Sequence, residues 1–110
     1  MPDAGDLVWL TFDPQAGREQ RGRRPALILS PRVYNAKTRL AIACPITSQV
    51  KGYPFEVALI GVKGLTGVVL SDQVRSLDWK ARTSAKAGRA ADAVVADVLA
   101  KVRVLLTKIP

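Results

Sequence analysis

The sequence contains no histidine and a single cysteine in 110 residues. A histidine general base, a Ser-His-Asp triad and a histidine metal ligand are therefore excluded, and one cysteine cannot form a cysteine-rich zinc site. The nine carboxylates are scattered singly, so no pair predicts a two-metal nuclease centre or a glycosidase dyad. Neither a P-loop nor a dinucleotide-binding glycine motif is present. The sequence thus predicts chemistry without a metal ion or another cofactor.

The single cysteine, Cys44, lies in an apolar stretch. Because no histidine is available to activate its thiol, it is a poor candidate nucleophile, and we interpret it as a small core residue. A lone buried thiol also fits a reducing compartment. The N-terminal residues lack the pattern of a secretory signal, and no apolar run reaches the length of a membrane span. We therefore expect a cytoplasmic protein.

Negative charge is scarce: 9 acidic residues face 17 basic ones, which gives a formal net charge of +8. Such an excess favours a polyanionic partner, and nucleic acid, an acidic protein or a membrane surface would each satisfy it. Basic residues that served only solubility would be spread along the sequence and interleaved with carboxylates. Here Arg18, Arg21, Arg23 and Arg24 lie in one short segment that only Glu19 opposes, which favours a binding surface.

Short segments rich in β-branched and aromatic residues, separated by a few loop residues, predict a small antiparallel β-barrel in a single domain of residues 1–110. The predicted strands are 6–13, 25–30, 40–47, 55–59, 67–71 and 75–82. Residues 31–39 are predicted to form a turn, with one short helical turn around Tyr34 as a further option.

The C-terminal part differs, because residues 92–106 carry apolar side chains at helical spacing. Acidic residues near its start and basic residues near its end suit the helix dipole. We predict one amphipathic helix packed on the barrel. A helix lying on a membrane surface is the alternative, but the few basic residues on the polar face and the lack of aromatics argue against it.

Arginine chemistry remains after these exclusions. Arg24 stands where the basic loop meets a predicted strand, and a guanidinium presents a rigid fork of donors to phosphate oxygens. It could stabilise the charge that develops when an RNA 2′-hydroxyl attacks the neighbouring phosphate. The hydroxyl of Thr47, at the end of another predicted strand, could donate to the same phosphate, and nearby arginines would keep Glu19 ionised. The alternative is a basic loop that only binds phosphate.

Five segments in order, covering nearly the whole chain, resemble the MazF/PemK family of toxins, and most closely its MazF branch. They read GDLVWLTFDP at residues 5–14, GREQRGRRPALILS at 17–30, PITSQ at 45–49, KGYPFEV at 51–57 and GVVLSDQVRSLDW at 67–79. Five ordered blocks are a more specific signal than one short motif.

This resemblance implies an SH3-like β-barrel with a C-terminal α-helix, the MazF/Kid/CcdB-like fold, acting as a cytoplasmic homodimer. It implies the toxin of a type II toxin–antitoxin system that cleaves single-stranded mRNA at specific sequences and leaves a cyclic phosphate and a 5′-hydroxyl. It also implies inhibition by an acidic MazE-like antitoxin. The family's catalytic residues fall on Arg24, Thr47 and Glu19.

The resemblance also implies an RNA groove, and two positions depart from the family pattern. The residues expected to line the groove are Arg18, Gln20, Arg21, Arg23, Ser48, Lys51, Asp72, Gln73 and Arg75. In the PemK/Kid branch, an arginine and an aspartate two residues apart take part in the chemistry, and the aspartate corresponds to Asp72. Here Leu70 holds the position of the arginine, so Asp72 is expected to shape the groove. Arg23 stands where relatives can carry histidine. Trp9 and Trp79 are expected to pack in the core or at a dimer interface rather than on bases.

Two other functions remain open from the sequence. CcdB-type toxins resemble this fold, but they poison DNA gyrase and are not nucleases. An RNA-binding barrel without activity is the second alternative. Arg24, Thr47 and Glu19 in matching blocks favour the nuclease.

Overall fold

The computed structural model describes residues 1–11, 23–82 and 84–107, and within these ranges it contains seven strands and two helices. A 3₁₀ turn at Ser71–Gln73 separates two of the strands. The elements are β1 (Asp6–Thr11), β2 (Arg23–Ile28), α1 (Arg32–Thr38), β3 (Leu40–Thr47), β4 (Glu56–Ala58), β5 (Val68–Leu70), β6 (Arg75–Asp78), β7 (Ala85–Arg89) and α2 (Asp92–Leu106).

The strands form one antiparallel sheet in the order β4-β5-β3-β2-β1-β7, and β6 also pairs with β3. Short connections between neighbouring strands favour antiparallel pairing, because a parallel pair needs a long crossover. The pairings within the described residues do not close the sheet into a ring. The predicted mainly β architecture with a C-terminal helix is confirmed.

Strand β3 is the centre of the sheet. One edge of β3 pairs with β2, while β5 and β6 pair in succession along the other. The 3₁₀ turn lies between β5 and β6. Ile46 of β3 pairs with Val69 of β5, before the turn, whereas Ala43 of β3 pairs with Arg75 of β6, after it. The turn therefore lies beside β3, and it also packs against α2.

Two apolar clusters form the core, because successive strand residues point to opposite faces of the sheet. In β1, Leu7 belongs to the first cluster and Val8 and Leu10 belong to the second. Helix α2 contributes three buried residues at four-residue spacing to the first cluster: Val94, Val98 and Val102. Burying such side chains stabilises the fold by about 1.5–3 kcal/mol each.

The sequence predicts some elements residue by residue and others poorly. The bounds predicted for β3 and α2 are confirmed. In α2, however, Leu99, Leu105 and Leu106 are exposed in the single chain, so the buried stripe is narrower than predicted. Residues 32–38 form a helix, α1, which is longer than the single helical turn around Tyr34 that was the second option for this segment.

The predicted strand at 75–82 is too long. Strand β6 ends at Asp78, because the Asp78 carboxylate and carbonyl accept hydrogen bonds from the backbone N–H groups of Ala81 and Arg82 and form a turn. Trp79 therefore lies in that turn rather than in a strand. It packs against the second cluster, and its indole N–H donates to the carbonyl of Asn35 at 3.1 Å. Trp79 thus packs against the core, one of the two placements expected for it.

In the described part of the chain, neither helix has the length and apolar character that crossing a membrane would require.

Candidate functional site: a cavity at the end of the central strand

A cavity of about 700 Å³ opens where β3 ends. Its walls come from the start of β2, the end of β3, the loop that follows β3, the residues before β5 and the 3₁₀ turn. Six of the residues predicted from the sequence line it: Arg24, Thr47, Ser48, Lys51, Asp72 and Gln73. These residues are spread over the sequence, and the sheet brings them together.

Arg24 and Thr47 lie on neighbouring strands and both line the cavity. Strands β2 and β3 pair with Ala26 opposite Pro45 and Leu27 opposite Cys44. The same register, continued by two residues, sets Arg24 opposite Thr47. Arg24 is exposed, as its position in the strand next to the loop predicts, whereas Thr47 is half-buried. A guanidinium and a hydroxyl therefore face a shared space.

The end of β3 is defined by local backbone contacts. The Thr47 hydroxyl oxygen accepts a hydrogen bond from the backbone N–H of Gln49 at 3.1 Å, which turns the chain after the strand. On the edge of β3 that faces away from β2, Thr47 pairs with Val68 of β5. The hydroxyl keeps its own proton free to be donated, because the oxygen acts as an acceptor in this bond.

The 3₁₀ turn supplies the next wall. Asp72 and Gln73 are exposed and line the cavity, while Ser71 is fully buried beneath them. Leu70, which stands where the PemK/Kid branch has an arginine, is half-buried and also lines the cavity. That departure from the family pattern thus lies within the site and replaces a charge by an apolar side chain.

The loop after β3 adds residues that sequence reasoning missed as site residues. Tyr53 and Glu56 line the cavity beside Lys51, and all three lie in the block KGYPFEV at 51–57. That block carried part of the family resemblance, so the signal was present. Trp9 packs against the first cluster, as expected, but it is only half-buried and also lines the cavity.

Two of the other predicted site residues do not line this cavity, and four lie outside the residues that the structure describes. Arg23 is exposed at the start of β2 and Arg75 is exposed at the start of β6, and neither lines the cavity. Four predicted residues lie outside the described residues: Arg18, Glu19, Gln20 and Arg21.

Cys44 lies beneath the site and is fully buried in the first cluster, which confirms its predicted core position. Burial, and then the negative charge of Asp72, raises the pKa of the Cys44 thiol to about 12. The thiol therefore stays protonated at neutral pH. Across the described ranges, no three histidine, cysteine, aspartate or glutamate side chains are grouped as metal ligands.

The fold and this cavity define a small β-rich protein with an arginine and a threonine at one polar site. Residues 3–106 match the model of the PemK-like, MazF-like toxins of type II toxin–antitoxin systems. The chain is 49% identical to the endoribonuclease toxin MazF of Escherichia coli K12, over 96% of this chain and 95% of that one. It is 34% identical to the endoribonuclease PemK of Escherichia coli, over 96% and 82% of the two chains.

Solved structures agree. MazF from Deinococcus radiodurans superimposes with a TM-score of 0.87 at 57% identity, covering 96% of each chain. A MazE–MazF structure from the same organism gives a TM-score of 0.84 at 51% identity, covering 96% of this chain and 94% of that one. The chain therefore belongs to the PemK-like, MazF-like toxin family.

Proposed function

We propose that this toxin cleaves single-stranded mRNA at specific sequences, with the RNA 2′-hydroxyl as the nucleophile and without a metal ion, and so inhibits translation and growth. Its family and the endoribonucleases at 49% and 34% identity make it an endoribonuclease toxin of a type II toxin–antitoxin system. The observation that carries the mechanism is the presence of Arg24 and Thr47, on the neighbouring strands β2 and β3, in the lining of one cavity.

The proposed reaction is an internal transfer at one phosphate. The 2′-oxygen forms a bond to the adjacent phosphorus, and the bond from that phosphorus to the 5′-oxygen of the next nucleotide breaks. The 2′-hydroxyl loses a proton and the leaving 5′-oxygen gains one, which yields a cyclic phosphate and a 5′-hydroxyl. Because the nucleophile belongs to the substrate, the reaction needs no metal-generated hydroxide, and positioning and charge stabilisation suffice.

Each catalytic residue has a proposed task. The Arg24 guanidinium would donate to the non-bridging oxygens, whose negative charge grows in the transition state. Thr47, half-buried at the end of β3, would donate its hydroxyl proton to the same phosphate. Glu19 is proposed as the third catalytic residue, a carboxylate that lies among arginines in the sequence.

The RNA would lie in the cavity. Lys51, Ser48 and Gln73 line it and can bind phosphates or base edges. Asp72 would shape the same groove and accept hydrogen bonds from bases. The proposal extends this groove to Arg18, Gln20, Arg21, Arg23 and Arg75.

The proposed partners follow from charge and from relatives. A net charge of +8 suits an acidic, flexible MazE-like antitoxin lying in the RNA groove. MazE–MazF structures from Deinococcus radiodurans at 50–51% identity support an antitoxin partner. We propose further that the toxin is a homodimer and acts on cytoplasmic mRNA.

A long single-stranded RNA incubated with the protein in EDTA tests the function. The nuclease gives discrete fragments, and primer extension across their ends gives the recognition sequence. Arg24→Ala protein, purified in the same way, controls for contaminating nucleases. RNA that is bound but left intact would instead indicate an inactive RNA-binding barrel. Intact RNA together with inhibition of DNA gyrase would indicate the CcdB-type function.

A further inference from the structure

Glu56 is a carboxylate in a cavity proposed to receive a polyanion. Its side chain is half-buried at the start of β4. On charge alone, this group would oppose RNA binding, since it repels phosphate. Its contacts point to a different task.

The Glu56 carboxylate binds the backbone of the loop that follows β3. Oε1 accepts a hydrogen bond from the Gly52 N–H at 2.9 Å, and Oε2 accepts one from the Lys51 N–H at 3.1 Å. In return, the backbone N–H of Glu56 donates to the carbonyl of Tyr53 at 3.1 Å. Residues 51–56 thus form a small closed loop that one side chain holds together.

The bonds to the Glu56 carboxylate and the backbone bond between Glu56 and Tyr53 both restrict this loop. Hydrogen bonds to an ionised carboxylate are roughly twice as strong as neutral ones. Gly52 has a φ of +81°, and a Cβ added there would meet nothing within 4 Å, so glycine serves the backbone conformation there rather than a close contact. The loop presents Lys51 and Tyr53 to the cavity, and Tyr53 remains 61% exposed although it is aromatic.

We infer that Glu56 is a positioning residue for RNA: its carboxylate fixes the loop so that Lys51 meets a phosphate and Tyr53 stacks on a neighbouring base. This inference rests on the proposed function, because it requires RNA in the cavity. An exposed aromatic beside a cation is the arrangement with which proteins bind single strands, where one ring stacks on a base and the cation follows the backbone.

Charge repulsion and loop positioning by Glu56 predict opposite effects of Glu56→Gln on the affinity for RNA. Glu56→Gln keeps the size of the side chain and removes one negative charge. If Glu56 only contributed charge, the variant would bind RNA more tightly. If Glu56 holds the loop, the variant binds more weakly, because an amide offers one acceptor oxygen and turns its own N–H donors toward the backbone N–H groups.

The experiment measures the Kd of a fluorescein-labelled, 2′-O-methylated single-stranded RNA, which cannot be cleaved by 2′-hydroxyl attack, over a series of salt concentrations. We expect Glu56→Gln to raise Kd about tenfold and to reduce the salt slope by about one, the loss of one phosphate contact. In a Lys51→Ala background, Glu56→Gln should have a smaller effect. Asp97→Asn, an equal charge change at a half-exposed pair with Lys101 on α2, is the matched control and should not weaken binding.

A second pair of variants checks the loop without changing charge. Gly52→Ala should also weaken binding, whereas Gly61→Ala should not. Both glycines have positive φ and open surroundings, but of the two only Gly52 donates its backbone N–H to Glu56. Amide exchange measured by NMR should accelerate at Lys51 and Gly52 in Glu56→Gln and stay unchanged in Asp97→Asn.

Tighter binding by Glu56→Gln, or unchanged exchange at Lys51 and Gly52, would overturn the inference while wild-type cleavage of unmodified RNA still upheld the proposed function. A wild-type protein that neither binds nor cleaves RNA would overturn both.

Discussion

The Cα of Gly67 packs directly against the carbonyl group of Thr47. A Cβ at Gly67 would overlap the carbonyl oxygen and lie 2.8 Å from the carbonyl carbon and 3.1 Å from the Cα of Ser48. Gly67 also has a φ of +123°, a conformation that residues with a side chain rarely adopt. Because Val68, the next residue, pairs with Thr47, this contact sets how closely β5 approaches the end of β3.

Gly67→Ala should therefore displace Thr47 and impair cleavage. We expect a rate loss of at least about tenfold, because small misplacements of reacting groups are costly, together with a stability loss of about 1–3 kcal/mol from backbone strain. Gly61→Ala is the control, since its φ is +76° and nothing lies within 4 Å of the added Cβ. Cleavage rates and urea unfolding of both variants check this. Equal rates in the two variants would show that the contact does not position Thr47.

Arg24→Lys should fail nearly as badly as Arg24→Ala. An ammonium is a point charge and cannot replace the planar fork of a guanidinium on a phosphate. We expect single-turnover cleavage to fall by about 10²–10³, as when one well-aimed donor is removed. Arg24 is exposed, so folding should be unchanged in both variants, which circular dichroism can verify. Full activity in Arg24→Lys would remove Arg24 from the catalytic role.

The sequence predicts best what local patterns determine. The apolar run of β3 and the helical spacing of α2 identify those elements to the residue. Strand β7 gives no such signal, because its sequence, AKAGR, contains no β-branched or aromatic residue. It forms a strand because it pairs with the edge of β1. A partner so distant in the sequence cannot be predicted from the few residues of β7 alone.

The same limit applies to the site. Arg24 and Thr47 are proposed from their motifs, but their meeting in one cavity depends on the pairing of β2 with β3. Glu56 looks like an ordinary outward polar residue of a strand. Its part in the loop depends on backbone N–H groups of Lys51 and Gly52 that only the folded turn directs toward it.

Cys44 should make stability fall at high pH. Its pKa is raised to about 12 in the folded chain from an ordinary 9.0, so the unfolded chain loses the thiol proton first. The stability linked to this group is complete below about pH 9 and is lost as the pH rises toward about 12, at up to about 1.4 kcal/mol per pH unit. Urea unfolding of the wild type and of Cys44→Ala across this range measures it. Parallel pH dependence in the two proteins would contradict the prediction.

Antitoxin and RNA should compete for one groove. The net charge of +8 should attract an acidic disordered peptide and speed its association, and rising salt should slow its association more than its dissociation. Removing charge at Arg18 and Arg21 together should weaken both ligands and leave the fold intact. A competition titration that found antitoxin and RNA bound at the same time would show that inhibition acts at a distance.

The chemistry of the cut ends tests the central claim most directly. A long single-stranded RNA is cleaved in EDTA, and the fragment ends are analysed, with Arg24→Ala as the control for contaminating nucleases. Attack by the 2′-hydroxyl predicts that cleavage persists in EDTA and that every cut leaves a cyclic phosphate and a 5′-hydroxyl, which a polynucleotide kinase labels without prior phosphatase treatment. Fragments that carry 5′-phosphates, or cleavage that stops in EDTA and returns with magnesium, would contradict the account.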